Sequence, residues 1–234
     1  YQVHKLSRNT MIFSKRAYFI FTFTMLLLIV TSYFTVDKSI SLYFIEHADI
    51  YKQFGKTASM LGESHWYIGI AILGTVYSTY IKKNELYKSR FLFLLYANIF
   101  SGFISLVLKM IFGRLRPWKL ENGEDSFGFL ITQNPEFSFV QNIEYHISMM
   151  IQNSTHYTSF PSGHATTSFA VFTFMSIIAP KYIYLWLSIT LLGAGSRILA
   201  NDHFVGDVLA GALVGILSTL FICYKLKIYP HKSI

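Results

Sequence analysis

Cysteine is nearly absent. The 234-residue chain holds one, Cys223, set in an apolar run. That excludes a disulfide framework and a cysteine-rich metal site, and leaves packing as its use. Charge is scarce too: Asp, Glu, Lys and Arg make up 14% of the residues, where soluble domains carry about a quarter. With 53% hydrophobic and 18% aromatic residues, this deficit excludes an ordinary soluble domain and points to lipid as the solvent. Carboxylates are the rarest charges, 12 against 20 Lys and Arg, for a net charge of +8. The excess does not indicate a nucleic-acid partner, because the basic residues flank apolar segments and form no continuous stripe. One membrane domain, 1–234, uses the whole length. The chain begins at Tyr1, which leaves room for an initiator methionine or a short leader ahead of it.

A membrane-crossing helix needs about 20 mostly apolar residues. Residues 17–36 carry no charge and are bounded by Lys15-Arg16 and Asp37. This run is too long for the apolar region of a signal peptide and no small-residue cleavage site follows, so it reads as a retained span. Further spans are expected at about 62–81, 91–112, 164–179, 182–199 and 204–224, the fourth stopped by Pro180. The expected fold is therefore an all-α, six-helix membrane bundle with a long outer loop between spans three and four. The N-terminal tail, residues 82–90, Lys181 and the C-terminal tail hold twelve of the twenty Lys and Arg, with Glu85 as their only acid. The positive-inside rule then puts both termini in the cytoplasm. Between spans one and two, Ile40, Tyr43, Phe44 and His47 recur at helical spacing, which fits a helix lying in the interface or a plain loop. The connection 113–164 is far longer than ordinary and reads as a lid gating head-group access. Its aromatics (Phe127, Phe129, Phe137, Phe139, Tyr145 and Tyr157) either rest on the membrane surface or pack together.

Ionisable groups at membrane depth cost about 2.5–3.5 kcal/mol each on insertion scales, so they are functional candidates by default. Here they are Lys109 ending span three, His164 opening span four, Arg197 ending span five, and His203 with Asp207 opening span six. The expected orientation brings all these helix ends to the outer face. Lys109, Arg116 and Arg197 make an anion site: an arginine fork grips phosphate oxygens in pairs, and a lysine acts as a point charge. Ser162, Gly163 and His164 add a helix N-terminus that favours phosphate, with Gly163 allowing close approach and the Ser162 hydroxyl free to cap the helix or to bind the anion. His203 and Asp207, four residues apart, share a helical face, so the carboxylate can fix the imidazole tautomer and leave the other nitrogen free to attack. His164, from another helix, can protonate the departing alkoxide. A metal site would need more carboxylates than Asp207, so neither metal nor cofactor is expected. The remaining histidines, His4, His47, His65, His146, His156 and His231, read as interfacial residues.

These residues resemble the signature of the type 2 phosphatidic acid phosphatase superfamily, which is shared with vanadium haloperoxidases. Its first motif, Lys, six residues, Arg-Pro, is matched by Lys109 and Arg116-Pro117. Its second, Pro-Ser-Gly-His, is matched by residues 161–164. Its third, Ser-Arg, five residues, His, three residues, Asp, is matched by Ser196-Arg197, His203 and Asp207. The resemblance implies that His203 forms a phosphohistidine, that Asp207 orients it, and that His164 protonates the leaving group and then activates water. It implies that Lys109, Arg116, Ser162, Gly163 and Arg197 bind the phosphate oxygens without a metal. Within the family the chain is similar to small bacterial enzymes of the inner membrane's outer leaflet, first the lipid A 1-phosphatases, then undecaprenyl diphosphate and phosphatidylglycerophosphate phosphatases. The implied partners are the lipid substrate and the bilayer, with no obligatory protein partner. A haloperoxidase and a transporter that binds a lipid phosphate without cleaving it are the competing readings.

Overall fold

The computed structural model describes residues 14–122, 127–129 and 137–227, and the fold is all-helical there apart from one isolated bridge between Arg114 and Phe129. Helix α1 (Lys15–Thr35) starts at Ser14, whose hydroxyl accepts from the Ala17 N–H. A short pair follows, α2 (Asp37–Glu46) and α3 (Ala48–Ser59), where the sequence offered one interfacial helix or a loop. Then come α4 (Ser64–Val76), continued by a π turn over Tyr77–Ile81, and the long α5 (Glu85–Phe112). The connection after α5 contains a 3-10 turn (Pro117–Asn122), α6 (Phe139–Gln152) and α7 (Ser154–Tyr157). The bundle closes with α8 (Gly163–Ile178), α9 (Ile183–Leu199) and α10 (Val205–Leu226).

Among the described residues, four helical stretches are long and apolar enough to cross a membrane: Lys15–Thr35, Glu85–Phe112, Pro180–Leu199 and Val205–Leu226. The expected spans at 62–81 and 164–179 are shorter helices. At 1.5 Å per residue, the 16 residues of α8 reach about 24 Å, short of a hydrocarbon core about 30 Å thick. Residues 1–13 and 228–234, with His4 and His231 and part of the tail charge, lie outside the described residues, as do residues 123–126 and 130–136 of the long connection.

In lipid there is no hydrophobic gain from bringing helices together, so close packing has to do it. Phe93 and Leu94 of α5, Phe174 and Ile177 of α8, Leu220 and Cys223 of α10 and Ala71 of α4 form one buried cluster, which gives Cys223 the packing role expected of it. Helix α10 lies directly on α8. A side chain at Gly211 would come within 2.5 Å of the Ser162 carbonyl, and one at Gly215 within 2.4 Å of the Thr166 carbonyl. Gly195 of α9, by contrast, faces open space. Helix α1 is mostly outward-facing, with Ser32 as its buried residue. The loop aromatics divide. Phe127 and Phe129 stack on Tyr33, while Phe139 is 72% exposed.

Candidate active site

The site is assembled where α5 and α9 end and α8 and α10 begin. Helix α5 stops at Gly113, whose φ of 53° and ψ of 47° lie in the left-handed region that glycine enters freely. The chain then runs back beside residues 156–159: the Arg116 N–H donates to the His156 carbonyl at 2.8 Å and the Ser159 N–H to the Arg114 carbonyl at 3.0 Å. This sets both cations of the first motif against Thr158. Lys109 Nζ donates to the Thr158 carbonyl, and Arg116 Nη2 lies 3.5 Å from its hydroxyl.

Ser162 caps α8, its hydroxyl accepting from the Ala165 N–H at 3.4 Å, and its own N–H donates to the Asp207 carbonyl at 3.0 Å. Of the two uses the sequence left open for that hydroxyl, capping is the one observed. The Ser162 bond also pins the start of α8 to the start of α10, so Gly163 and His164 arrive beside the third motif. In the turn between α9 and α10, the N–H groups of Asp202 and His203 both donate to the Arg197 carbonyl. The Asp202 carboxylate stands 2.8 Å from Arg197 Nη2 and 4.0 Å from Arg116 Nη1. One carboxylate therefore spans two guanidinium groups.

His203 is 3% exposed, and its Nδ1 lies 2.7 Å from the Ser159 carbonyl. A carbonyl can only accept, so Nδ1 carries the proton and Nε2 keeps a free lone pair. Burial pushes the imidazole down to about 3, with Lys109 and Arg116 acting in the same direction and Asp207 against them. The ring is therefore neutral at physiological pH. Asp207, expected to orient this ring, stands 3.8 Å from Nδ1. Its oxygens are committed elsewhere: Oδ1 accepts from Arg114 Nη1 at 2.6 Å, and Oδ2 from the Ser159 hydroxyl at 2.6 Å and the Phe204 N–H at 2.9 Å. The nearest partner of Nδ1 is thus Ser159, and Asp207 acts one hydrogen bond away.

Lys109, Gly163 and His164 line a cavity of about 760 Å³ between α4, α5 and α8, whose far wall includes Glu63, His65 and Asn98. The Nε atoms of Arg116 and Arg197 are buried and have no hydrogen-bond partner. Buried donors are ordinarily satisfied, and the oxygens of an anion would suit these two. Every residue expected at the site is in this neighbourhood. Five others were missed: Asp37, Arg114, Thr158, Ser159 and Asp202. Ser159 sits three residues before Ser162, Arg114 two before Arg116 and Asp202 directly before His203, so nearness to a motif was the available signal for those three. Of the histidines set aside, His146 is buried with Nε2 at 2.5 Å from the Met110 carbonyl, His47 stacks on Tyr43, and His65 pairs with Glu63 at 3.4 Å. Among the described residues, no three His, Cys, Asp or Glu side chains are grouped to hold a metal ion.

The family model of the PAP2 superfamily matches residues 90–228, a stretch that takes in all three motifs. A lipid A 1-phosphatase from Rhizobium etli is 26% identical over 174 residues, 70% of this chain and 66% of that protein. One from Rhizobium johnstonii is 27% identical over 177 residues, 70% and 63%. The chain therefore spans just under two thirds of the length of these relatives. The bacitracin transport permease protein BcrC from Bacillus licheniformis is 34% identical over 95 residues, 41% of this chain and 44% of that one. No solved structure gives a significant match.

Proposed function

The chain belongs to the PAP2 superfamily, and from that premise we propose that it is a metal-independent lipid phosphatase acting through a phosphohistidine. Lipid A carrying a 1-phosphate is the favoured substrate, with undecaprenyl diphosphate and phosphatidylglycerophosphate as alternatives. The observation that carries the proposal is the His203 ring, held through Nδ1 by the Ser159 carbonyl so that Nε2 is free, beside Lys109 and two arginines whose buried Nε donors lack partners. Those donors can take equatorial phosphate oxygens and hold the phosphorus in line with Nε2. In the first step Nε2 attacks phosphorus, the bond from phosphorus to the lipid oxygen breaks, and His164 gives that oxygen its proton. In the second, His164 takes a proton from water, the hydroxide displaces His203, and inorganic phosphate leaves. The cavity between α4, α5 and α8 would receive the lipid. The proposed setting is a bacterial inner membrane crossed six times, with both termini cytoplasmic and this site facing the periplasm.

Two of the relatives are named lipid A 1-phosphatase, which supports the substrate preference. The permease name of BcrC favours a transporter as the second reading. A transporter, however, has no use for a histidine nitrogen held free beside a second histidine. Phosphate release by the purified full chain from lipid A, undecaprenyl diphosphate and phosphatidylglycerophosphate decides between them. A single preferred substrate with trapped phosphohistidine supports the proposal. Lipid binding with no phosphate release from any of the three supports the transporter.

A further inference from the structure

Arg114 belongs to none of the three motifs, yet it is among the most deeply buried charges in the protein. Its side chain is 1% exposed, and it sits between two carboxylates that are wholly enclosed. Nη1 donates to Asp207 Oδ1 at 2.6 Å and Nη2 to Asp37 Oδ2 at 2.8 Å. The guanidinium carbon lies 4.1 Å from the Phe204 ring centroid and within 5.4 Å of the rings of Tyr33, Phe127 and Phe129. Burial alone would pull this guanidinium down, but Asp207 and Asp37 outweigh it and raise it above its ordinary value. Asp37 is itself braced, since its Oδ1 accepts from the Ser32 hydroxyl at 2.5 Å and from the Gly206 N–H at 2.9 Å.

Two groups face Nδ1 of His203, the Ser159 carbonyl at 2.7 Å and Asp207 Oδ2 at 3.8 Å. Arg114 holds both of them. Its side chain grips Asp207, and its backbone carbonyl accepts the Ser159 N–H at 3.0 Å. The other charges around the ring are Lys109 from α5, Arg116 after it, and, further out, Arg197 and Asp202. None of these touches Ser159 or the Asp207 carboxylate in the hydrogen bonds described. We propose that Arg114, braced from its far side by Asp37, is a positioning residue that fixes His203 in the tautomer and orientation needed for attack. In this way the junction of α1 and α2, remote from the phosphate cradle in sequence, is tied to the proposed nucleophile.

This inference rests on the phosphatase reading. A purely structural role would also cost the protein something when Arg114 is changed, because removing one member of a buried ion group leaves the others uncompensated. The discriminating variant is therefore Asp37→Asn. It has the same shape and keeps an oxygen for Ser32 and Gly206, but removes the charge that braces Arg114. The full chain in detergent micelles would be followed in single turnovers with enzyme in excess over lipid A, and in turn over undecaprenyl diphosphate and phosphatidylglycerophosphate. The amplitude counts folded sites and the rate constant reports the chemistry of each. We expect the rate constant to fall roughly tenfold in Asp37→Asn and roughly a hundredfold in Arg114→Gln, as for loss of one hydrogen bond to a charged group and of two. Inorganic vanadate should still compete as it does in the parent chain, since the cradle is untouched. A parent-like rate constant with reduced amplitude in Asp37→Asn overturns the inference and leaves Arg114 a structural residue. No turnover by the parent chain would sink the phosphatase reading itself, and this inference with it.

Discussion

Asp202 occupies the place where a phosphate is expected to compete. Its carboxylate lies 2.8 Å from Arg197 and 4.0 Å from Arg116, with side-chain exposures of 22% for Asp202, 11% for Arg197 and 20% for Arg116. An incoming phosphate must take guanidinium N–H groups that this carboxylate already holds. With charge centres roughly 4 Å apart and an effective dielectric of about 20, the gross attraction is about 4 kcal/mol. Exposed pairs retain a net of only about 0.2–1 kcal/mol after solvation and side-chain entropy. With side chains only 11–22% exposed, this pair lies somewhat above that range. A net of about 1.4 kcal/mol corresponds to a factor of ten in binding. Asp202→Asn should therefore tighten inhibition by inorganic vanadate about tenfold at low ionic strength, and the gain should shrink as salt screens the site. The assay is the vanadate dependence of phosphate release by parent and variant at low and high salt. Unchanged or weaker inhibition refutes the argument, and weaker inhibition would mean that Asp202 holds Arg197 in place for the phosphate.

Three further outcomes are expected. His203→Ala should abolish turnover, while His164→Ala should slow it by about 10²–10⁴, the usual worth of a positioned proton donor; full activity in His203→Ala, measured as phosphate release, is fatal to the mechanism. Arg197→Lys should be severely impaired although charge is conserved, because an ammonium cannot grip two phosphate oxygens as a planar fork does; parent-like kcat/KM would contradict the cradle. Acid should destabilise the protein partly through His203. The ring's folded value of about 3 lies below its unfolded value of 6.5, so the stability it contributes is complete above pH 6.5 and is lost as pH falls towards 3. The drop in melting temperature between pH 7 and pH 5 should be smaller in His203→Gln than in the parent chain, and equal drops would show that the ring is not held neutral.

Legibility in the sequence followed how each residue finds its partners. Lys109, Arg116, His164, Arg197, His203 and Asp207 could be read because each is a costly charge near the end of an apolar run, and a bundle brings such ends together whatever its details. The same logic made the all-helical fold readable and predicted six crossings alike, of which Lys15–Thr35, Glu85–Phe112, Pro180–Leu199 and Val205–Leu226 are long and apolar enough among the described residues. It was less informative about α4 and α8, whose lengths of 13 and 16 residues fall below the usual span. Asp37 served in the sequence only as the charge that closes the first apolar run, and Arg114 as one more basic residue in a long connection. Their partners lie 77 and 93 positions away, Asp37 to Arg114 and Arg114 to Asp207, and no periodicity encodes separations of that kind.

Ser159 shows the same limit at closer range. The i to i+4 spacing of His203 and Asp207 predicted a shared helical face and a carboxylate meeting the ring, but His203 precedes the Phe204 N-cap of α10 and the carboxylate stands 3.8 Å from Nδ1. It could not reveal that the carboxylate has three better donors, Arg114, Ser159 and Phe204. A buried carboxylate with both oxygens saturated has little reason to reach a further 3.8 Å to a ring already bound to a backbone carbonyl. The worth of Asp207 lies in holding Ser159 and Arg114 as much as in facing His203. Changes at Ser159 and Asp207 should then not add. Ser159→Ala removes one hydrogen bond to a charged group, an effect of about 1.5–3 kcal/mol when fully expressed. In the double variant with Asp207→Asn, the rate should fall by less than the product of the two single losses, because both changes break one shared network. Independent, multiplicative losses in that cycle would return Asp207 to the simpler role of a direct partner for the histidine.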